Sequence, residues 1–183
     1  MARVIVVGDG PAGLSAALFI ARGDHDVVVY AQDGTAMHYA LVHNYLGIDE
    51  IDGTDFQERA RAQVVDAGAE LVERAVTRIE PDGDGFAVTV EGGDVDQGDY
   101  VVLAGGKAAQ RLAEAAGAEC ADRRVVVDTE YATNVDGLYA VGRVARPNRS
   151  QAVISAGAGA TAALDILARE AGRDVTDWDS PDD

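Results

Sequence analysis

Gly8, Gly10 and Gly13 stand at G-x-G-x-x-G spacing, a pattern that bares backbone N–H groups to an anion. Gly8 permits a tight turn, Gly10 lets a diphosphate approach the backbone, and Gly13 lets a helix pack closely on a strand. Pro11 suits a first helical turn, where its missing N–H is not needed. With Ala12 it opens an Ala/Leu-rich run. The start of that helix would point free N–H groups and a positive dipole end at a phosphate. The chemistry implied is dinucleotide binding. No acid, base or nucleophile stands out; His38, Tyr39 and His43 are the nearest candidates, and a packed, satisfied loop His is the commoner outcome. The histidines have no companion Cys or third His nearby, so no metal site is expected. Cys120 is the one cysteine. It excludes an internal disulfide or C-x-x-C pair, and reads as a small apolar residue beside a helix end.

These residues need a scaffold, and the flanking pattern supplies one. Val4–Val7 is apolar without polar alternation, as a buried parallel strand should be. A helix is expected from Pro11 to Ala21, ending near Gly23, and a second strand from Val27 to Tyr30. A ribose-binding acid often follows such a strand; here that position is Ala31, then Gln32, and Asp33 reads as a solvated turn residue, or as the ribose contact should the loop fold back. Gly34–Ile51 has no clean period but gathers Met37, His38, Tyr39, His43, Asn44 and Tyr45, a candidate ligand wall. A helix over 55–67 has Phe56, Ala60 and Val64 as its stripe and Arg59, Arg61 and Asp66 as a solvated face. Glu70–Glu80 and Phe86–Val90 read as strands of a small meander, with a turn bracketed by Gly92-Gly93 and Gln97-Gly98. Tyr100–Leu103 returns to the parallel sheet, and Ala104-Gly105-Gly106 leaves it without side-chain bulk. Leu112–Ala116 is expected as a short helix, Val125–Asp128 and Leu138–Gly142 as strands, and Gln151–Ala171 as a long helix. Residues 176–183 form an acidic tail.

The 183 residues suffice for one sizeable core. The net charge of −17 comes from 32 acids against 15 bases, which argues against nucleic acid or acidic membranes as partners. Lys107 is the only lysine; so acidic and Lys-poor a surface points to a halophile's cytoplasm. The apolar run at Val4 is too short to span a membrane, and no signal peptide is expected.

Five segments in series resemble thioredoxin reductases, FAD- and pyridine-nucleotide-linked disulfide oxidoreductases. They are G-D-G-P-A-G (8–13), N-Y-L-G (44–47), V-V-L-A-G-G (101–106), V-D-G-L-Y-A-V-G-R-V (135–144) and S-Q-A-V-I-S-A-G-A-G-A (150–160). The resemblance, of haloarchaeal type, implies an α/β, Rossmann-like FAD-binding domain. It would have a central parallel sheet, helices on one side and a small antiparallel β-meander on the other. It makes residues 1–175 one domain. The point at about 106–111, where the family inserts its NADPH domain with the C-x-x-C, is empty. It places Gly8–Gly13 on the diphosphate, Asn44 near the flavin, Ala75 and Val76 by the adenine, and Ala31 and Gln32 at the ribose. Ala104 and Gly105 would lie near the diphosphate, and Gln151 and Ala152 by the isoalloxazine ring. Three positions depart. Gly142-Arg143 stands where the family has Gly-Asp. Asp9 brings a carboxylate into the phosphate loop, repelling an anion unless it turns to solvent. Ala31 offers no ribose acceptor.

The function implied is a single-domain FAD flavoprotein, a thioredoxin reductase-like oxidoreductase. Its electrons would come from a diffusible donor such as NAD(P)H or from a redox partner protein. Family likeness suggests a homodimer. The alternative, motivated by Asp9 and Arg143, is a non-enzymatic relic of the FAD domain acting as a binding or regulatory protein. An NAD(P)-binding module fits less well, because the 141–160 segment resembles the closure of an FAD site.

Overall fold

Val4 to Val6 are fully buried, so their strand has to lie mid-sheet with both faces covered. The computed structural model describes residues 1–176. In chain order the first half runs β1 (Arg3–Val7), α1 (Pro11–Arg22), β2 (Asp26–Ala31), β3 (Leu41–Val42), β4 (Ile51–Asp52), α2 (Gly53–Asp66) and β5 (Glu70–Glu73). The second half runs β6 (Val76–Asp82), β7 (Gly85–Val90), β8 (Val95–Gly98), β9 (Tyr100–Leu103), α3 (Lys107–Ala115), β10 (Cys120–Ala121), β11 (Arg124–Val125), β12 (Leu138–Ala140) and α4 (Ala152–Ala171). Single 3₁₀ turns form at Ala36–Tyr39 and Gly142–Val144.

The main sheet has the order β12-β9-β1-β2-β5 and is parallel throughout. In register, Val7 faces Tyr30 on one neighbour and Leu103 on the other, so the loops after β1, β2 and β9 leave at one edge. Successive side chains alternate between two cores, as strand geometry requires. Val4, Val6, Val27, Val29 and Val102 pack under α1 and α4. Ile5, Val7, Val28, Tyr30, Val101 and Leu103 pack against Ile79, Phe86, Val88 and Val90 of the β6-β7-β8 meander. α3 lies on this meander side, through Ala109 and Ala113.

α1 and α4 approach until only glycine fits between them. A Cβ on Gly159 would stand 2.0 Å from the Ala12 carbonyl oxygen. α4 is long and apolar enough to cross a membrane by length and composition, and here Ala158, Ala162 and Ile166 are buried in the fold.

Four local expectations are corrected. Glu70–Glu80 is two strands, because β5 extends the parallel sheet whereas β6 opens the meander; the chain changes sheets at Arg74-Ala75. Gln97-Gly98 lies within β8, paired with Ala87 and Phe86 of β7. α3 begins at Lys107 rather than Leu112. The strand expected at Val125–Asp128 stops at Val125, because its partner β10 has only two residues, Cys120 and Ala121, to pair with; the Asp128 carboxylate then accepts from the Glu130 and Ala132 N–H groups and turns the chain. The acidic tail, beyond Thr176, lies outside the described residues.

Candidate functional site

A cleft of about 610 Å³ opens where β1, β2 and β9 end. Open α/β sheets place their ligands at this edge, and the volume is within the range of small-molecule sites.

Its floor is the glycine loop. Gly8 has φ 105°, and a Cβ there would stand 2.8 Å from the Gly105 backbone, so both strand ends must lack bulk. A Cβ on Gly13 would stand 1.9 Å from the Gly8 carbonyl oxygen. Gly13 therefore packs the start of α1 against the loop, and, although expected on the diphosphate, it does not line the cleft. Gly10 is the N-cap of α1 and no side chain caps the helix. α4 also starts uncapped, after Gln151. α2, away from the cleft, has the Asp52 carboxylate on the Thr54 N–H at 2.8 Å. α3 starts uncapped as well, after Gly106, so three uncapped helix starts meet the cleft with amide donors to spare.

Asp9 lies within this loop, and its carboxylate turns neither to the ligand nor to solvent. Its side chain is 5% exposed and is ion-paired with Arg61 of α2. Gln57 Nε2 donates to the Asp9 carbonyl at 2.6 Å. Arg61 also ion-pairs with Glu73 at the end of β5. The expected solvated face of α2 is therefore wrong at Arg61, and the expected repulsion by Asp9 is largely cancelled. Sequence patterning missed Arg61 and Gln57 because their partners are remote in the chain. Gln57 is fully buried and its Oε1 has no hydrogen-bond partner among the described residues.

Of the residues expected at the site, Gly8, Gly10, Pro11, Ala12, Gln32, Asn44, Ala75 and Val76 line the cleft, as do Ala104, Gly105, Gly142, Arg143, Gln151 and Ala152. Ala31 does not; it is fully buried in the sheet. Asp33 turns to His38, Oδ1 to Nε2 at 2.9 Å. His38, Tyr39 and His43 are absent from the cleft wall, and Tyr39 is 94% exposed. Met37 of the expected ligand wall lines it too, and Thr35, Arg74 and Ser155 join it without having been singled out. Tyr30 also lines it, but its hydroxyl donates to Asp96 of the meander at 2.8 Å. Burial and the Asp96 carboxylate push its pKa up to about 12, so it is no proton donor near neutrality. Cys120 is half-buried, and burial and then Glu114 raise its thiol pKa, as for an unreactive thiol.

The residues present suit a diphosphate-bridged flavin. The cradle excludes a Cβ at Gly8, its helix start is uncapped, and the one carboxylate on the cleft wall is paired with an arginine.

A family model described as pyridine nucleotide-disulphide oxidoreductase matches residues 45–160. One described as FAD binding domain matches residues 3–78. A thioredoxin reductase of Schizosaccharomyces pombe is 33% identical over 122 residues, 60% of this chain and 38% of the relative. One of Listeria monocytogenes is 29% identical over 139 residues, 74% of this chain and 42% of the relative. The chain thus spans well under half the length of these relatives. Among solved structures, a thioredoxin reductase from Gloeobacter violaceus superposes with a TM-score of 0.86 at 19% identity, covering 98% of this chain and 99% of that one. The atypical thioredoxin reductase TRi from Desulfovibrio vulgaris Hildenborough gives 0.82 at 17% identity, covering 93% and 99%. At such identities the likeness is one of fold.

Proposed function

The chain belongs to the pyridine nucleotide-disulphide oxidoreductase family, and we propose that it works as a thioredoxin reductase-like flavoprotein drawing electrons from a diffusible donor or a redox partner. The cofactor indicated is FAD, the group named by the model that matches residues 3–78. The observation that carries the reading is the cleft: a glycine cradle and three uncapped helix starts at the end of a parallel sheet. Gly8–Gly13 would hold the diphosphate. Asn44, Gln151 and Ala152 would face the ring, and Ala75 and Val76 the adenine. FAD, when bound, supplies two-electron redox chemistry. The chain's own share is to orient the ring and to offer it the positive end of α4.

Ala104–Gly106 alone joins β9 to α3, so no nicotinamide-binding unit is inserted there. That favours an external donor, NAD(P)H or a protein, and a single FAD domain over residues 1–175. We further propose a homodimer in a halophile's cytoplasm, on family likeness and on the acidic, Lys-poor composition. A second reading, a non-enzymatic binding protein, retains one support, Arg143 in place of a carboxylate. Its other support, repulsion by Asp9, is weakened by Arg61.

Spectra of the purified chain, with FAD added in concentrated KCl, test the proposal. A yellow protein that quenches flavin fluorescence, releases FAD on denaturation and is bleached by NADPH or NADH supports it. A protein that stays colourless and leaves the fluorescence unchanged overturns it. Bound FAD that no donor reduces leaves the binding-protein reading in place.

A further inference from the structure

Arg143 lies in the 3₁₀ turn Gly142–Val144, where β12 gives way to the loop before α4. The turn's position is fixed tightly. Gly142 has φ 67°, and a Cβ on it would stand 3.0 Å from the Ala12 Cβ, one residue into the glycine-loop helix. The Arg143 side chain therefore springs from beside the uncapped start of α1, and it lines the cleft.

Among the described residues two arginines, Arg74 and Arg143, line the cleft, so their partners decide which charge is left for a ligand. Arg74, also on the cleft wall, binds Asp94 and the Glu91 carbonyl. Arg61, behind the glycine loop, binds Asp9 and Glu73. Among the described residues Arg143 has no hydrogen bond, ion pair or ring contact. A guanidinium presents a planar fork of donors that matches two phosphate oxygens.

We propose that the Arg143 guanidinium binds the diphosphate of the cofactor directly, closing the side of the glycine cradle that backbone amides leave open. The assignment rests on the FAD reading above. The Arg61 cation is consumed by Asp9 and Glu73, and Arg143 supplies the positive charge that the diphosphate itself meets. The position would then act as a phosphate ligand, rather than as an acceptor for sugar hydroxyls.

Titrations of the full-length chain with FAD and with ADP, followed by flavin fluorescence and calorimetry, test this. ADP carries the diphosphate without the ring. Arg143→Ala should weaken both ligands about ten- to hundredfold, the worth of one charge-assisted hydrogen-bonded pair. Arg143→Lys should fall between, keeping charge but losing the fork. Arg173→Ala, which removes an exposed cation just past the far end of α4, should change neither affinity beyond about twofold. Arg143 has no partner to lose, so its variants should melt with the native chain, which separates binding from folding. Unchanged FAD affinity in Arg143→Ala overturns the inference and leaves the FAD reading standing. A loss for FAD with none for ADP overturns it as well, by moving Arg143 to the ring side. If the native chain binds neither ligand, the FAD reading fails and this inference fails with it.

Discussion

Arg61 of α2 and Asp9 of the glycine loop form an ion pair across 52 residues of chain. Both are largely withdrawn from water, with side chains 20% and 5% exposed. A pair so placed holds the loop against α2 and cancels a charge that would oppose an anionic ligand. It also costs desolvation, so its net worth shows only when one partner goes.

Arg61→Leu should therefore destabilise the fold by about 3 kcal/mol, because Asp9 is left buried without its cation. Asp9→Asn in the same chain should recover part of that loss. Urea unfolding of the single and double variants measures the coupling. Equal stability of native and Arg61→Leu proteins would show that the pair does not secure the loop. FAD affinity should fall in Arg61→Leu, through the uncancelled negative charge of Asp9 in the glycine loop, and return in the double variant.

Gly157 and Gly159 stand two residues apart in α4 and should respond with opposite sign. A Cβ on Gly159 would meet the Ala12 carbonyl oxygen at 2.0 Å and the Ala16 nitrogen at 3.0 Å. Gly159→Ala must push α1 away and should cost about 1–3 kcal/mol or more. Gly157 has nothing within 4 Å of its Cβ position. Gly157→Ala should gain about 0.5–1 kcal/mol from helix propensity, raising the midpoint by about 2–4 °C per kcal/mol. Thermal melts of both variants decide it. The Gly159 variant should also bind FAD less tightly, since α1 carries the cradle.

What sequence could reveal here was local. Gly8, Gly10 and Gly13 with their flanking strand and helix lie within one short stretch, and their geometry follows from their own backbone needs. Pairings across the chain were not legible. Arg61 looked like one more charge on a polar helix face, because its partners Asp9 and Glu73 belong to other strands' ends. The break between β5 and β6 was hidden for a similar reason: both halves are good strand sequence, and only the sheet they join differs. Val125–Val127 misled in the other direction: it is apolar and β-branched, yet only Arg124 and Val125 find a paired strand, because β10 is two residues long.

Stability should fall on the alkaline side between about pH 10 and pH 12. Burial first, then Asp96, pushes Tyr30 up to about 12. Burial first, then Glu170, does the same for Tyr100, and burial with Asp165 raises Tyr139 further. Below the ordinary tyrosine range both folded and unfolded chains hold these protons, so nothing is lost. Above it the unfolded chain releases them first, and each such tyrosine lowers stability by about 1.4 kcal/mol per pH unit until its folded pKa is reached. Tyr30→Phe should shallow the fall, read by denaturant midpoints across that range. Asp96 acts on the acid side. Burial raises it, but hydrogen bonds from Arg3 and Tyr30 outweigh this and hold it low, so its contribution is present at neutral pH and lost as pH falls through the folded value. A flat alkaline limb in the native protein would contradict the buried phenols.

Salt should raise the stability of this chain, in keeping with the proposed halophilic setting. A net charge of −17 makes the folded surface repel itself. Between 0.1 M and 1 M salt the screening length shortens from about 10 Å to about 3 Å, which removes most repulsion between exposed acids. Buried pairs are screened far less. The melting midpoint of the native protein should therefore climb with KCl, while the deficit of Arg61→Leu persists at 1 M. Exposed Arg143 should behave differently, its advantage in FAD affinity over Arg143→Ala narrowing as KCl rises. Melts and FAD titrations across a KCl series measure both trends. A midpoint that falls with KCl would mean that attraction, not repulsion, dominates the surface charges, and would remove the argument for a salt-adapted protein.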